Sequence, residues 1–251
     1  MGFEHLMPNS RYEPFAKLVH RLARNESFHR ARFNDVEVLA ILQGNVRAVH
    51  AEFYAAAVRN VRHHHGYPPA MCEEVRDCLR HPRPNIAYAV ELNKPRGLRS
   101  VIRDWVTANS PIETFLKPGC FQEARGQPGA MSGFINQLRR RGAVFVAPAF
   151  VRAVADICYG DLIPVPPSDC WHAQRRVATE VLRRHRPGMV YVLSCNVLAS
   201  TLIHNLWPFI GRESAMLDVG SLWEYYLGVR TRPAHARLKL SLADLTEEQK
   251  C

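Results

Sequence analysis

The sequence predicts an α/β fold: a mostly parallel sheet flanked by helices, in a Rossmann-like order. Three observations carry this expectation. Short continuous apolar runs, Ala143-Val144-Phe145-Val146-Ala147-Pro148, Met189-Val190-Tyr191-Val192-Leu193 and Ala215-Met216-Leu217-Asp218-Val219-Gly220, read as strands buried on both faces. Helical stretches separate them, and strand-helix-strand alternation is what parallel crossover connections produce. The runs end in Ala147-Pro148, Ser194-Cys195-Asn196 and Asp218-Val219-Gly220, and open sheets of this kind bind ligands beyond the carboxyl ends of their strands.

In chain order, residues 1–30 read as an N-terminal helical arm. Tyr12, Phe15, Leu18, Val19 and Leu22 fall on one face, and Asn25-Glu26-Ser27 ends it. Over residues 35–62, Val38, Leu39, Ile41, Leu42, Val46, Val49, Phe53 and Val58 continue a helical pattern, with a break near Gly44-Asn45. Residues 63–84 form a connector around a short helix. Residues 85–92 alternate as a strand does, and 96–107 are helical with Trp105 inward. Residues 109–130, rich in Pro, Gly and polar groups, read as an irregular loop able to cover a cleft. After the strand at 143–148 come a helix near 150–158 and the short strand Leu162-Ile163-Pro164-Val165-Pro166. An amphipathic helix over 171–186 follows, with Val177, Val181 and Leu182 inward, and Pro187-Gly188 stops it. Helices over 197–209 and 221–227 follow the last two strands, and residues 242–251 form an acidic tail. All 251 residues are read as a single domain, long enough to bury a core of its own.

Composition narrows the function classes. Hydrophobic residues at 47% and charged residues at 22% are ordinary for a globular protein, which excludes wholesale disorder. No apolar run approaches the roughly eighteen residues of a membrane span. The first six residues, Met1 to Leu6, lack a signal-peptide core, so a cytoplasmic location is expected, the host cytoplasm if the chain is viral. Seven cysteines without a C-x-x-C pair read as reduced thiols. His63-His64-His65 with Cys72 and Cys78 fits no common zinc spacing. The net charge of +10, with basic runs at Arg139-Arg140-Arg141, Arg175-Arg176, Arg183-Arg184 and 230–239, suits a polyanionic partner; a solvated basic surface is the plainer alternative.

Three constellations carry chemistry. In Arg32-Phe33-Asn34-Asp35-Val36-Glu37 two carboxylates stand at the head of a helix, where oxygen ligands can take a divalent cation. The competing role is an acidic first turn that complements the helix dipole. Ser194-Cys195-Asn196 closes a strand and opens a helix, a place for phosphate; Asn196 could equally be a plain N-cap. It is neither G-x-G-x-x-G nor a P-loop, which removes support for dehydrogenase and ATPase readings. Asp218 and Glu224 form a second acidic pair, and a carboxylate there could take a proton from an acceptor hydroxyl.

Together, Arg-Phe-x-Asp-x-Glu, Val-Phe-Val-Ala, Ile-x-Val-Pro, Val-Leu-Ser-Cys-Asn and Leu-Asp-Val-Gly-Ser-x-x-Glu-Tyr, in this order, resemble the GT-D class of glycosyltransferases. Members extend protein-linked glycans in bacteria from nucleotide-sugar donors. The resemblance covers roughly residues 27–50 and 143–228, and implies a Rossmann-like core. It also implies that Asp35 and Glu37 bind Mg²⁺ or Mn²⁺ and the donor diphosphate, with Arg32 leading the motif. Ser194, Cys195 and Asn196 would form the turn where the family has a Gly-Pro-Thr-like sequence. Asp218 and Gly220 would match its Asp-Ile-Gly, and Glu224 its following acidic residue, a candidate base. Asn34 and Val36 stand where the family has glycines. The implied reaction is transfer of a hexose, from a UDP-sugar by expectation, to a hydroxyl acceptor. That acceptor is either a hydroxymethylated DNA base, which the basic surface favours, or a glycan or glycoprotein. The rivals are a non-catalytic nucleic-acid-binding protein and a metal-dependent phosphodiesterase on the same core.

Overall fold

In a computed structural model, the structure describes residues 9–42, 68–90, 96–117, 119–125, 129–229 and 240–246. Eight strands form one sheet: β1 (Asn9–Arg11), β2 (Phe28–Phe33), β3 (Ile86–Val90), β4 (Thr114–Leu116), β5 (Ala143–Pro148), β6 (Asp161–Val165), β7 (Val190–Leu193) and β8 (Ala215–Asp218). Their order is β1-β4-β3-β2-β8-β7-β5-β6, and every pairing is parallel. The α/β, Rossmann-like expectation therefore holds.

The helices lie on both faces. One face carries α2 (Asp35–Leu42), α3 (Pro69–Arg80), α4 (Arg96–Asn109), α8 (Gln174–Arg184) and α9 (Val197–Ile210), packed on Phe33, Val144, Val146, Leu193 and Met216. The other carries α1 (Phe15–Ala23), α5 (Cys120–Arg125), α6 (Ala130–Arg141), α7 (Arg152–Ile157) and α10 (Leu222–Tyr226), packed on Phe28, Phe145, Ala147, Val192 and Leu217. Alternate residues of β5 thus enter opposite cores, which is why the strand reads as one unbroken apolar run. Among the described residues no helix is long and apolar enough to cross a membrane.

The central strand was not foreseen. His29, Arg30 and Arg32 interrupt the apolar pattern of β2, yet all six of its residues are buried. His29 and Arg30 are accommodated by partners from elsewhere in the chain. His29 is held neutral: Nε2–H donates to the Gly211 carbonyl at 2.6 Å, Nδ1 accepts the Met216 N–H at 3.2 Å, and burial lowers its pKa to about 4. Arg30 donates to Glu13 at 3.2 Å and to the Lys117 carbonyl at 2.8 Å. Charge paired in this way can occupy a buried strand, and no hydropathy pattern reveals it.

Other expectations need correction. Residues 109–130 are not one irregular loop, because β4 and α5 lie within them and α6 begins at Ala130. Tyr12 precedes α1 and is 42% exposed; Leu182, expected inward, is 39% exposed while Val177 and Val181 are buried. In the acidic tail, Ala243–Leu245 is a 3-10 turn with Leu245 buried in the second core. The continuation of the α2 helix to residue 62, the triple histidine and the basic run at 230–239 lie outside the described residues.

Much of the basic run Arg139-Arg140-Arg141 works inside the fold. Arg139 donates to the Ile157 carbonyl that ends α7, Arg140 to the Leu22 and Ala23 carbonyls that end α1, and Arg141 to the carbonyls of Gly188 and Glu26. Carbonyls at a helix end lack intrahelical partners and carry partial negative charge, so guanidinium groups suit them.

Candidate active site

Two strands that meet in the middle of the sheet bring the site together. β2 leads away toward β3 and β4, whereas β8 arrives from the β7 side. The helices that follow them, α2 and α10, pack on opposite faces, the arrangement at which open parallel sheets bind ligands beyond their carboxyl ends.

At the end of β2 the chain turns through Asn34 into α2. The Asn34 carbonyl accepts the Val38 N–H at 2.9 Å, and the Glu37 carboxylate reaches back to accept the Asn34 N–H at 3.0 Å. This is half of a capping box, with Glu37 at its third helical position. The other half is missing: Asn34 Oδ1 is buried with no hydrogen-bond partner among the described residues.

At the end of β8, Asp218 ties the end of β2 to its own following turn. One carboxylate oxygen accepts the Arg32 N–H at 3.2 Å and the other accepts the Gly220 N–H at 2.9 Å. Gly220 has φ +57°, and a Cβ there would stand 2.1 Å from Arg32 Nη1. The Arg32 guanidinium thus lies against bare backbone, and its Nε has no hydrogen-bond partner among the described residues. The Ser194 hydroxyl donates to the Gly220 carbonyl and so joins the end of β7 to the same turn.

Burial sets the electrostatics. Glu37 and Asp218 are each only 4% exposed. The Glu37 pKa rises to about 7, through desolvation first and the Asp218 charge second. The Asp218 pKa rises to about 6, again through desolvation, with Arg32 the main influence against it. Two carboxylates held partly protonated near neutrality beside a buried arginine are costly in isolation, and such groups cluster at functional sites.

Cys195 is buried beneath the turn, and burial pushes its thiol well up, as it does the Cys170 thiol; neither is a reactive thiolate. Cys170 donates to the Cys195 carbonyl, so the 3-10 turn Cys170–Ala173 closes over the start of α9. Trp171 and Gln174 anchor that turn by donating to Glu74 on α3 at 3.0 and 3.3 Å. The sequence reading missed this wall; its one signal was its place just after the carboxyl end of β6.

Asn196 is exposed at the N-cap of α9, but its side chain makes no capping hydrogen bond. Its φ of 53° and ψ of −142° lie in a region that favours glycine. Asn196→Gly is therefore expected to raise stability by about 1 kcal/mol in a denaturant titration. A simultaneous loss of ligand affinity would mark the amide as a binding group.

The structure adds a carboxylate neighbour that local sequence does not show. Glu37 couples with Asp218 across the β2–β8 junction. Glu224 sits in the first turn of α10, half-buried, on the helix that leaves the Asp218 turn. Asp35 opens α2, and its side chain lies outside the described set. Among the described residues no group of three or more His, Cys, Asp or Glu side chains is arranged to hold a metal ion. The donors that are described suit a hard divalent cation: two buried carboxylates of raised pKa and the unpartnered Asn34 Oδ1.

No family model and no curated protein matches the chain. Solved structures do. A protein described as a new glycosyltransferase of domain of unknown function 1792, from Streptococcus sanguinis, aligns over 96% of this chain and 93% of its own, with a TM-score of 0.58 at 10% identity. A selenomethionine-substituted structure of domain of unknown function 1792 aligns with a TM-score of 0.56 at 11% identity, over 96% of this chain and 90% of its own. A third, described as the same highly conserved domain with a distinct glycosyltransferase fold, gives 0.54 at 11% over the same shares. The chain has that fold, from end to end of the aligned region.

Proposed function

We propose that the chain is a nucleotide-sugar-dependent glycosyltransferase that moves a hexose from a nucleotide-sugar donor, a UDP-sugar by expectation, to a hydroxyl acceptor. The observation that supports this most is the meeting of Glu37, Asp218 and Arg32 at the sheet's switch point, in a fold shared with structures described as glycosyltransferases.

Each residue then has a task. Arg32, pinned by the Gly220 backbone, offers positive charge to the leaving diphosphate. The N–H groups at the start of α9, behind Ser194, Cys195 and Asn196, add a second anion-facing surface. Glu37, Asp218 and Asp35 would hold Mg²⁺ or Mn²⁺, which when bound supplies further charge neutralisation at the diphosphate. Glu224, on the helix beyond the turn, takes the proton of the acceptor hydroxyl. The Cys170–Ala173 wall limits water at the inner end of the crevice.

For the acceptor, the basic surface argues less strongly than the charge count did. Arg139, Arg140 and Arg141 bond backbone carbonyls, and Arg183 and Arg184 pair with Glu180. A glycan or glycoprotein acceptor needs none of these cations, and a hydroxymethylated DNA base remains the second reading on the strength of Arg175 and the 230–239 run, since Arg176 also donates to a backbone carbonyl, that of Pro164.

Incubation with UDP-, GDP-, ADP- and TDP-sugars and Mn²⁺, offering hydroxymethylated DNA and a glycopeptide as acceptors, tests the reading. Labelled product with one donor is expected. Cleavage of DNA without sugar transfer would favour a phosphodiesterase. Salt-sensitive DNA binding with no reaction would favour a binding protein.

A further inference from the structure

A cleft of about 300 Å³ lies away from this site, over the opening half of β3 and over β4. None of its lining residues belongs to the candidate active site. Arg11 and Lys17 line it from β1 and α1, and Arg83 from the segment before β3; Ile86, Ile112 and Leu116 give it an apolar floor. Glu13 is its one acidic lining residue, and that carboxylate is already shared. It pairs with buried Arg30 at 3.2 Å, with Lys17 at 3.6 Å and with Arg21 at 4.0 Å.

The charge in this corner is therefore unbalanced. Lys17 and buried Arg30 share Glu13, Arg21 pairs more closely with Glu26 at 2.9 Å, and Arg11 and Arg83 add two further cations at the cleft. Among the described residues neither Arg11 nor Arg83 has an ion-pair partner. The Arg83 Nε is buried without a hydrogen bond, and its guanidinium lies 5.9 Å from the Trp207 ring. Unpaired guanidinium groups beside a hydrophobic floor are arranged for an anion with an apolar body, because the planar fork matches phosphate oxygens. The volume is at the lower end of the range for small-molecule pockets.

We propose that this cleft is a second binding site, for a small phosphomonoester whose apolar part rests on Ile86, Ile112 and Leu116. Its phosphate lies between Arg11 and Arg83, with Lys17 beside it. The inference is independent of the transferase reading.

Calorimetric titration of the full chain with phenyl phosphate and with inorganic phosphate tests it. Phenyl phosphate is expected to bind more tightly than phosphate, because the floor contributes. Arg11→Gln and Arg83→Gln should each weaken it about tenfold, while Glu37→Gln leaves it unchanged. Arg11 is exposed, so its variant keeps the test valid should Arg83→Gln disturb the Trp207 contact. Equal binding of the two probes would overturn the proposal. So would affinity that survives both arginine substitutions, or the absence of any heat at millimolar phenyl phosphate.

Discussion

Glu37→Gln is expected to raise the melting temperature of the ligand-free protein near pH 8 while lowering transfer at least about a hundredfold. The sign follows from linkage. Glu37 titrates at about 7 when folded and at the ordinary glutamate value of 4.5 when unfolded, so the folded state binds the extra proton between those values. Stability from the protonated form is complete below about pH 4.5 and is lost as pH rises through 7. Above that range the buried charge costs up to about 3 kcal/mol, and glutamine removes it while still accepting the Asn34 N–H. A gain of roughly 5–10 °C is expected at pH 8, and almost none at pH 4. Asp218→Asn should gain less or lose stability, because the amide accepts only one of the two backbone N–H bonds that the carboxylate accepts, and the double variant should not equal the sum, because part of the cost is the repulsion between the two carboxylates. A site kept at the expense of stability has this signature; a purely structural capping glutamate does not.

Gly220→Ala should give the opposite balance, a small loss of stability and a large loss of function. The positive φ makes any side chain costly there by about 1 kcal/mol. The new methyl would meet the far end of Arg32, which can swing away, so the fold survives. The guanidinium cannot keep its place. Donor affinity should fall about tenfold or more while the melting temperature drops by only a few degrees. Unchanged affinity would show that Arg32 does not face the donor.

Legibility differed between the two halves of the sheet. The β5, β7 and β8 strands are continuous apolar runs because helices cover both faces, and their ends mark Ser194, Asp218 and Gly220 in the sequence itself. β2 hid its identity behind His29, Arg30 and Arg32; the side-chain partners of the first two, Gly211 and Glu13, and the acceptor of the Arg32 backbone N–H, Asp218, are all remote in sequence. For the same reason the nearness of Glu37 to Asp218 was not legible. Only the β2–β8 pairing brings those two carboxylates together, and strand order was not readable from local pattern. Leu182 and Tyr12 were misplaced on helical spacing alone, which gives a face but not where that face ends.

The most direct test of the central claim is thermal stabilisation of the wild type and of Glu37→Gln by the same panel of nucleotide sugars, with and without Mn²⁺. The account predicts that one nucleotide class stabilises the wild type in a Mn²⁺-dependent way, and that Glu37→Gln, although more stable alone, gains nothing from it. No stabilisation of the wild type by any donor, or an equal shift in the variant, would contradict the assignment of the Glu37–Asp218–Arg32 crevice as the donor site.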